Sequence, residues 1–388
     1  MAEAALPVIR RQLPVYSPVT LSGVTRAGTA LVRASEVEAL RAEIAQRYAA
    51  SRVELTGSGT QALQVAITIA QKRVGGAVAL PAFQCYDLAS AAVGAGVRIA
   101  LYDVNPRTLA PDVDSVRRAM RAGARTVVIA SLYGMPVEWE SLAHEVESAG
   151  GVAIEDAAQG HGAAWHGRPL GAWGALSVLS FGRGKGWCGG SGGALLARQG
   201  WEREELPLLP AASLADELRV VAQLKAQWIL GRPSLYGLPA ALPGLHLGET
   251  VYHPPRVPRR ITRAAAAAAR AHAAASDREA QFRRKRAEQF VRRMFVPPEG
   301  GVAGYLRMPV VTPTHMTPTH TALGIARSYP TTLASLPVVR ERLVGPGPYP
   351  GAEELASQLV TLPTHSRVTP NEAARIQTLA SGFGELRT

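Results

Sequence analysis

The sequence has few cysteines, few aromatic residues and no long apolar run. Only Cys85 and Cys188 occur among 388 residues, so a disulfide framework is not needed and a reducing compartment is favoured, with a single bridge between the two as the alternative. Residues 1–18 contain two arginines and three prolines, where a secretory signal requires an unbroken apolar segment. The roughly 20 consecutive apolar residues of a membrane-spanning helix are also missing. We therefore expect a cytoplasmic protein without a membrane span.

Aromatic residues make up 6% of the chain, whereas its formal net charge is +12. Much of the excess positive charge lies in residues 278–293, which have a helical pattern and too few aromatic side chains to stack on bases. A nucleic-acid partner is therefore not expected. A solvated helix face or a subunit contact is the favoured interpretation of this stretch, and a basic field that attracts phosphorylated substrates is the alternative.

Hydrophobic residues form 47% of the chain, enough to bury the cores of two domains. Short apolar runs alternate with helical patterns, which predicts an α/β large domain whose mostly parallel sheet is sandwiched by helices. The predicted strands are residues 52–56, 77–81, 98–104, 126–131, 152–155, 176–181 and 193–197, and the predicted helices include 60–72, 112–121 and 141–147. Ligands of such sheets bind at the carboxyl ends of the strands.

The composition changes after this region. Residues 231–258 are rich in glycine and proline and are interpreted as a linker or insertion. We expect a flexible N-terminus at 1–13, a large domain at 14–230, and a long helix with a smaller C-terminal α/β domain at 259–388. His315 and His320 lie in a Pro-Thr repeat, but no carboxylate or cysteine completes a ligand set, so no metal is expected.

Ser58, Gly59 and Thr60 lie between a predicted strand and a predicted helix. Backbone N–H groups at such a helix start, together with the hydroxyls, form a cradle for phosphate. Gly57, Gly59 and Ala62 also fit a dinucleotide-binding fingerprint, which makes an NAD-dependent dehydrogenase the rival interpretation. That fingerprint requires an acidic residue at the end of the next strand, where residues 80–83 offer none. The rival is therefore disfavoured, and a phosphate of mononucleotide size fits better.

Glu155 and Asp156 end a buried strand. Side chains alternate along a strand, so only one of the two carboxylates can face a given pocket. For this segment alone, a carboxylate that caps the following turn is the structural alternative.

Lys185 lies in a glycine-rich turn between two apolar strands. A lysine is ordinarily solvated, but this turn has almost no side-chain bulk and allows a large planar ligand to approach closely. A half-buried lysine amine can lose its proton and attack an aldehyde.

Taken together, the three motifs resemble the DegT/StrS family of fold-type-I sugar aminotransferases. That family has a Ser-Gly-Thr-x-Ala-Leu turn, a Glu-Asp-Ala-Ala-Gln strand end and a Ser-Phe-x-x-x-Lys loop followed by Gly-Gly. This chain has corresponding residues at 58–63, at 155–159 and at 180–185, in the same order. The likeness continues through residues 133–136 and into the tail at 329–330.

The resemblance implies that pyridoxal 5'-phosphate is the cofactor, with Lys185 holding it as a Schiff base and moving protons. Asp156 would pair with the ring nitrogen and Gln159 would lie against the ring or its phenolic oxygen. The phosphate would be held by Ser58, Gly59, Thr60 and Ser180. The implied reaction moves an amino group from glutamate or glutamine to a ketone on a sugar nucleotide, and the family's members are similar in being homodimers with a shared active site.

Three positions depart from the family pattern. Cys85 stands where an aromatic residue usually stacks on the cofactor, so Tyr86 or Phe83 would substitute. The family's Asn-x-Arg element, which lends an asparagine to the partner's phosphate, is replaced here by residues 258–260. Arg259 or Arg260 would take that role.

Arg183 is the third departure, because the family commonly has other residue types before the lysine. It would contact an anionic acceptor, with Tyr133 as a further substrate contact; pairing of Arg183 with a neighbouring carboxylate is the alternative.

Two other functions remain open from the residues. The same cofactor could serve dehydration, decarboxylation or acyl transfer, although the similar dehydratase branch has histidine at the position of Lys185. A catalytically silent homologue is the other possibility, and the pair Lys185 and Asp156 argues against it.

Overall fold

The computed structural model describes residues 10–32, 35–240, 250–290, 295–312, 320–345 and 347–381. Its strands are β1 (Arg52–Thr56), β2 (Ala77–Pro81), β3 (Ile99–Tyr102), β4 (Ala124–Ala130), β5 (Val152–Asp156), β6 (Ala164–Trp165), β7 (Arg168–Pro169), β8 (Leu176–Ser180), β9 (Gly193–Ala197), β10 (Gly301–Val302), β11 (Met308–Val311), β12 (Ala326–Arg327) and β13 (Leu359–Leu362).

The helices of the described residues flank these strands. They are α1 (Leu21–Thr29), α2 (Ser35–Arg47), α3 (Gly59–Val74), α4 (Asp87–Gly94), α5 (Val113–Arg121), α6 (Trp139–Ser148), α7 (Leu214–Leu230), α8 (Pro233–Ala240), α9 (Arg263–Gln289), α10 (Pro337–Arg340), α11 (Pro350–Gln358) and α12 (Pro370–Ser381).

The large sheet has seven strands in the order β1-β9-β8-β5-β4-β2-β3. From β8 to β3 every neighbouring pair is parallel, while β9 runs antiparallel to β1 and β8. All five residues of β2 are buried, as expected for a strand covered by helices on both faces. The predicted α/β fold with a mostly parallel sheet is confirmed.

Alternate residues of the strands belong to two apolar cores, one on each face of the large sheet. Leu80, Val128 and Ile154 belong to a core shared with α3 and α4. Ala79, Val127 and Ala153, one residue earlier on the same strands, belong to a core shared with α1, α2, α5, α6 and α9. The period of two that places side chains on opposite faces of a strand therefore produces the three-layered arrangement.

Polar residues fix where the helices begin. The side chains of Ser58, Asp112 and Thr262 accept hydrogen bonds from the first turns of α3, α5 and α9, and Ser213 forms a capping box with Asp216 of α7. Such a cap satisfies one of the N–H groups that has no partner inside the helix.

Helix α9 packs on α1, α2 and α7. Residues 264–269, all alanine, are buried on this helix, and their small side chains allow close packing. Two three-stranded sheets complete the described part of the chain, β10-β6-β7 and β11-β13-β12, and all of their strand pairs are antiparallel. The predicted domain boundaries stay a prediction.

The segment 231–258, interpreted as a linker or insertion, contains helix α8. Its residues 241–249 lie outside the described part of the chain, as does His315. Pro233 is the first residue of α8, a position whose backbone N–H would have no hydrogen-bond partner within the helix, so proline is tolerated there.

Among the described helices, none combines the length and the apolar character needed to cross a membrane.

Candidate active site

A cleft open to the solvent lies at the carboxyl ends of β2, β5 and β8. Its empty volume of about 400 Å³ includes space that is open to the solvent. Its lining consists of Gly59, Thr60, Leu63, Gln84, Cys85, Asp87, Leu88, Asp156, Ala158, Gln159, Ser180 and Lys185. The three sequence motifs therefore meet in one place.

One end of the cleft is the start of helix α3. Gly59 and Thr60 line it, and the N-terminal N–H groups of a helix attract anions. A Cβ atom added to Gly59 would lie 2.6 Å from Cβ of Ser180, so only glycine fits between the turn and β8. The hydroxyl of Ser58 accepts the N–H of Gln61 at 3.2 Å and thereby caps the helix. Ser58 is absent from the lining of the cleft.

The two carboxylates at the end of β5 have opposite surroundings. Glu155 accepts hydrogen bonds from three backbone N–H groups of the 171–174 loop and from the hydroxyl of Ser177, at 2.5 to 3.0 Å. Asp156 points the other way and lines the cleft. The prediction that only one of them faces the pocket is confirmed.

Asp156 is a buried carboxylate with one hydrogen bond recorded within the described residues, from the N–H of Ala158 to Oδ1 at 3.0 Å. Burial raises its pKa, the charge of Asp87 adds to this effect, and the charge of Lys185 opposes it. A carboxylate in this setting is stabilised by any cation that enters the cleft.

Lys185 lies in the loop between β8 and β9, and the N-terminal segment holds this loop. The hydroxyl of Ser17 donates to the carbonyl of Lys185 at 3.1 Å and accepts the N–H of Gly184 at 2.9 Å. Gly184 has φ +77°, a conformation that favours glycine. Ser17 was missed by sequence reasoning, because no local pattern joins positions so distant in the chain.

Two tyrosines from the segments 133–136 and 329–330, which also resemble the family, hold Gln159 in place. Its Oε1 accepts the backbone N–H of Tyr133 at 3.0 Å, and its Nε2 donates to the hydroxyl of Tyr329 at 2.9 Å. Tyr133 has φ +56°, and its hydroxyl pairs with that of Ser328. Tyr133 therefore contacts Gln159 but does not line the cleft.

The aromatic residues of the turn after β2, Phe83 and Tyr86, are absent from the lining of the cleft. Phe83 is fully buried and meets Tyr329 edge-on, with ring centroids 5.2 Å apart. The hydroxyl of Tyr86 lies 2.6 Å from that of Thr331. Cys85 does line the cleft, and burial raises the pKa of its thiol to about 12. Stacking by Tyr86 or Phe83 stays a prediction that requires a change of side-chain position.

Sequence reasoning missed Gln84, Asp87 and Leu88 as lining residues. The sequence did indicate that the turn after β2 borders the site, because the turn that follows a central parallel strand lies at the same sheet edge as the carboxyl ends of the neighbouring strands. No motif marked these particular positions.

The three candidate arginines lie near the cleft, outside its lining. Arg183 is exposed at the tip of the lysine loop. The carbonyl of Arg259 accepts the N–H of Gly57 at 2.8 Å, and its guanidinium pairs with Asp216 at 3.1 Å. Arg260 is exposed, and its backbone N–H donates to Pro210. Their contacts with substrate or with a partner subunit stay predictions.

In the described residues, no group of three side chains suited to a metal ion occurs. The site thus offers an anion cradle, a buried carboxylate and a lysine amine within one cleft. These are the groups that a phosphate-bearing aldehyde with a basic ring requires.

Solved structures of aminotransferases share this fold. The chain matches a DegT DnrJ EryC1 StrS aminotransferase from Brucella abortus with a TM-score of 0.68 and 19% identity, covering 92% of this chain and 95% of the other. It matches the aminotransferase TlmJ from Streptoalloteichus hindustanus with a TM-score of 0.71 and 19% identity, covering 96% and 98% of the two chains. The class is therefore the α/β fold of the pyridoxal-phosphate type of aminotransferase.

Residues 20–295 match the DegT/DnrJ/EryC1/StrS aminotransferase family, and the chain belongs to this family. The resemblance noted from the motifs is confirmed.

Two curated relatives illustrate the range of acceptors in the family. An L-glutamine:2-deoxy-scyllo-inosose aminotransferase from Streptomyces kanamyceticus is 30% identical over 202 residues, which is 49% of this chain and 47% of the relative. A dTDP-4-dehydro-2,3,6-trideoxy-D-glucose 4-aminotransferase from Saccharopolyspora spinosa is 32% identical over 146 residues, 38% of each chain. The chain spans less than half the length of these curated relatives.

Proposed function

We propose that this protein is a pyridoxal-phosphate-dependent aminotransferase that moves an amino group from glutamine or glutamate to the carbonyl of a keto sugar, free or nucleotide-linked, or of a related cyclic ketone. The observation that carries the proposal is the meeting of Lys185, Asp156 and the start of α3 in one cleft. The names of the curated relatives support the donor and the acceptor class.

The residues present fit the cofactor. Gly59 and Ser180 approach so closely that a side chain at position 59 would clash with Ser180, and the N–H groups at the start of α3 are suited to a phosphate. Asp156, whose pKa is raised by burial, gains from a positively charged ring nitrogen. When bound, pyridoxal 5'-phosphate supplies an electron sink for the carbon that carries the amino group.

Each side chain then has one task. The N–H groups at Gly59 and Thr60 and the hydroxyl of Ser180 hold the phosphate. Asp156 keeps a proton at the ring nitrogen. Lys185 would hold the cofactor, and its amine would take up and release the proton that moves during amino transfer.

Gln159 serves as an orienting group. Because Tyr133 and Tyr329 fix both ends of its amide, it presents one orientation toward the cleft. An amide fixed in this way limits the positions that a planar ligand can adopt.

We further propose a homodimer in which the exposed guanidinium of Arg260, or that of Arg259, reaches the cofactor phosphate of the partner subunit. The backbone of both residues adjoins the turn that precedes α3. A guanidinium suits a phosphate dianion because it can donate two parallel hydrogen bonds.

The proposal is tested by the absorbance spectrum of the purified protein after incubation with pyridoxal 5'-phosphate. We expect a visible band that fades when glutamine or glutamate is added and returns when a keto-sugar acceptor follows. A protein that takes up no cofactor would overturn the proposal. A visible band that neither donor changes would overturn the assignment of the donor.

A further inference from the structure

The turn between β2 and α4 presents polar side chains to the cleft. Gln84, Cys85 and Asp87 line it together with the apolar Leu88. Asp87 adds a second carboxylate beside Asp156, while Lys185 is the single cation among the lining residues.

Asp87 is the first residue of α4, and an acid in the first turn commonly stabilises a helix through its dipole. Asp114 in the first turn of α5 shows the usual arrangement, since it pairs with Arg117 at 3.0 Å on the protein surface. Within the described residues Asp87 has no such ion pair, and it borders the cleft. Its surroundings therefore differ from those of an ordinary first-turn acid.

The charge of Asp87 acts on the groups around it. Burial is the main cause that raises the pKa of Asp156 and that of Cys85, and Asp87 raises both further. Lys185 opposes the effect at both positions. The other titratable groups nearby are Glu155 behind Asp156 and Tyr102 on β3, whose own pKa is raised mainly by burial.

We propose that Asp87 is a second carboxylate of the cofactor site, which acts with Asp156 to stabilise positive charge on the lysine-bound cofactor. This inference rests on the proposed function. Two carboxylates that line one cleft repel each other, and a cation beside them relieves the repulsion. Asp156 would pair with the ring nitrogen, whereas Asp87 would act through its electric field and raise the proton affinity of the bound cofactor as a whole.

The test compares the loaded wild-type protein with Asp87→Asn, Asp87→Glu and Asp114→Asn. The pH is varied without substrate, and the visible absorbance of the lysine-bound cofactor is followed. Because asparagine keeps the shape and removes the charge, the midpoint of Asp87→Asn should fall by about one pH unit, a tenfold loss of proton affinity. Asp87→Glu should stay near the wild-type midpoint, and Asp114→Asn should not move it.

An unchanged midpoint in Asp87→Asn would overturn the inference. So would a loss of thermal stability with an unchanged midpoint, which is the result expected from a helix-dipole role alone. A raised KM for the acceptor with an unchanged midpoint would make Asp87 a substrate contact and would equally overturn it. If Asp87→Asn does not take up cofactor, Asp87→Ser is titrated in its place, with the same expected fall. A wild-type protein without a visible band refutes the proposed function instead, so the two failures are distinguishable.

Discussion

At the scale of single residues, the proposed role of Asp156 is to let the cofactor ring accept electrons. Asp156→Asn keeps the shape and a hydrogen-bonding group but removes the charge that holds a proton on the ring nitrogen. We expect the variant to bind cofactor and to show a visible band, while kcat falls on the order of a hundredfold or more. Turnover and absorbance measured on the same preparation check this. Near wild-type turnover would show that Asp156 has no role at the ring nitrogen.

Glu155→Gln is the matched control on the opposite face of β5. Glu155 accepts all of its hydrogen bonds from the 171–174 loop and Ser177, and an amide would turn an N–H₂ group toward some of these donors. The variant should lose roughly 2 kcal/mol of unfolding free energy, as expected for buried hydrogen bonds to a charged group. Its cofactor band should be normal. A lost band in Glu155→Gln with a normal rate in Asp156→Asn would reverse the two assignments.

Much of the candidate site was predictable from the sequence, because its chemistry lies in three short motifs. A glycine-rich turn or a carboxylate at a strand end can be recognised from a few consecutive residues, as for Gly59, Asp156 and Lys185. Asp87 and Ser17 could not be found in this way. Their positions depend on which strand ends and loops are neighbours in space, and no local spacing encodes that.

At the scale of the element, the segment before α9 carries the proposed contact between subunits. The guanidinium of Arg259 is engaged by Asp216, whereas that of Arg260 is exposed. We therefore expect Arg260→Ala to weaken cofactor retention more than Arg259→Ala, and the double variant to weaken it most. Cofactor release followed by absorbance after dilution measures this effect.

Arg219→Ala is the control for this comparison, since Arg219 also pairs with Asp216 on the surface. Exposed ion pairs contribute little to stability, so this variant should retain cofactor like the wild type. A monomer in solution with full activity would contradict the proposed contact between subunits.

The strands of the large sheet were predictable because each is a short apolar run between turn residues. Residues 52–56, 77–81 and 193–197 have the predicted bounds, while β3 is shorter than predicted and β4 begins two residues earlier. Helix α8 was not foreseen, because residues 231–258 carry glycine and proline signals that normally mark loops. In the structure this helix packs against α7.

At the scale of the whole molecule, buried histidines predict sensitivity to acid. Burial lowers the pKa of His365 to about 4, and it also lowers the pKa of His161 and His272. The unfolded chain binds these protons at a higher pH than the folded protein does. Stability is therefore fully present above about pH 6.5 and is lost as the pH falls toward 4, by roughly 3 kcal/mol for His365 alone.

Denaturant unfolding at several pH values between 7 and 4 tests this expectation. His365→Gln keeps a donor for the carbonyl of Leu13, the partner of Nε2 at 2.8 Å, but cannot titrate. Its stability should depend less steeply on pH than that of the wild type. His144→Gln, which changes an exposed histidine on α6, should keep the wild-type slope. Equal slopes in all three proteins would contradict the assignment.

Lys185 is the residue that we propose holds the cofactor. Sodium borohydride fixes a lysine-bound pyridoxal 5'-phosphate to the chain, and mass spectrometry of the peptides then locates it. We expect the label on Lys185 in the wild type and its absence in Lys185→Ala, a variant that stays folded because little apolar surface is removed. A label on Lys72, Lys225 or Lys285, or no label on a protein that turns over substrate, would show that Lys185 does not hold the cofactor.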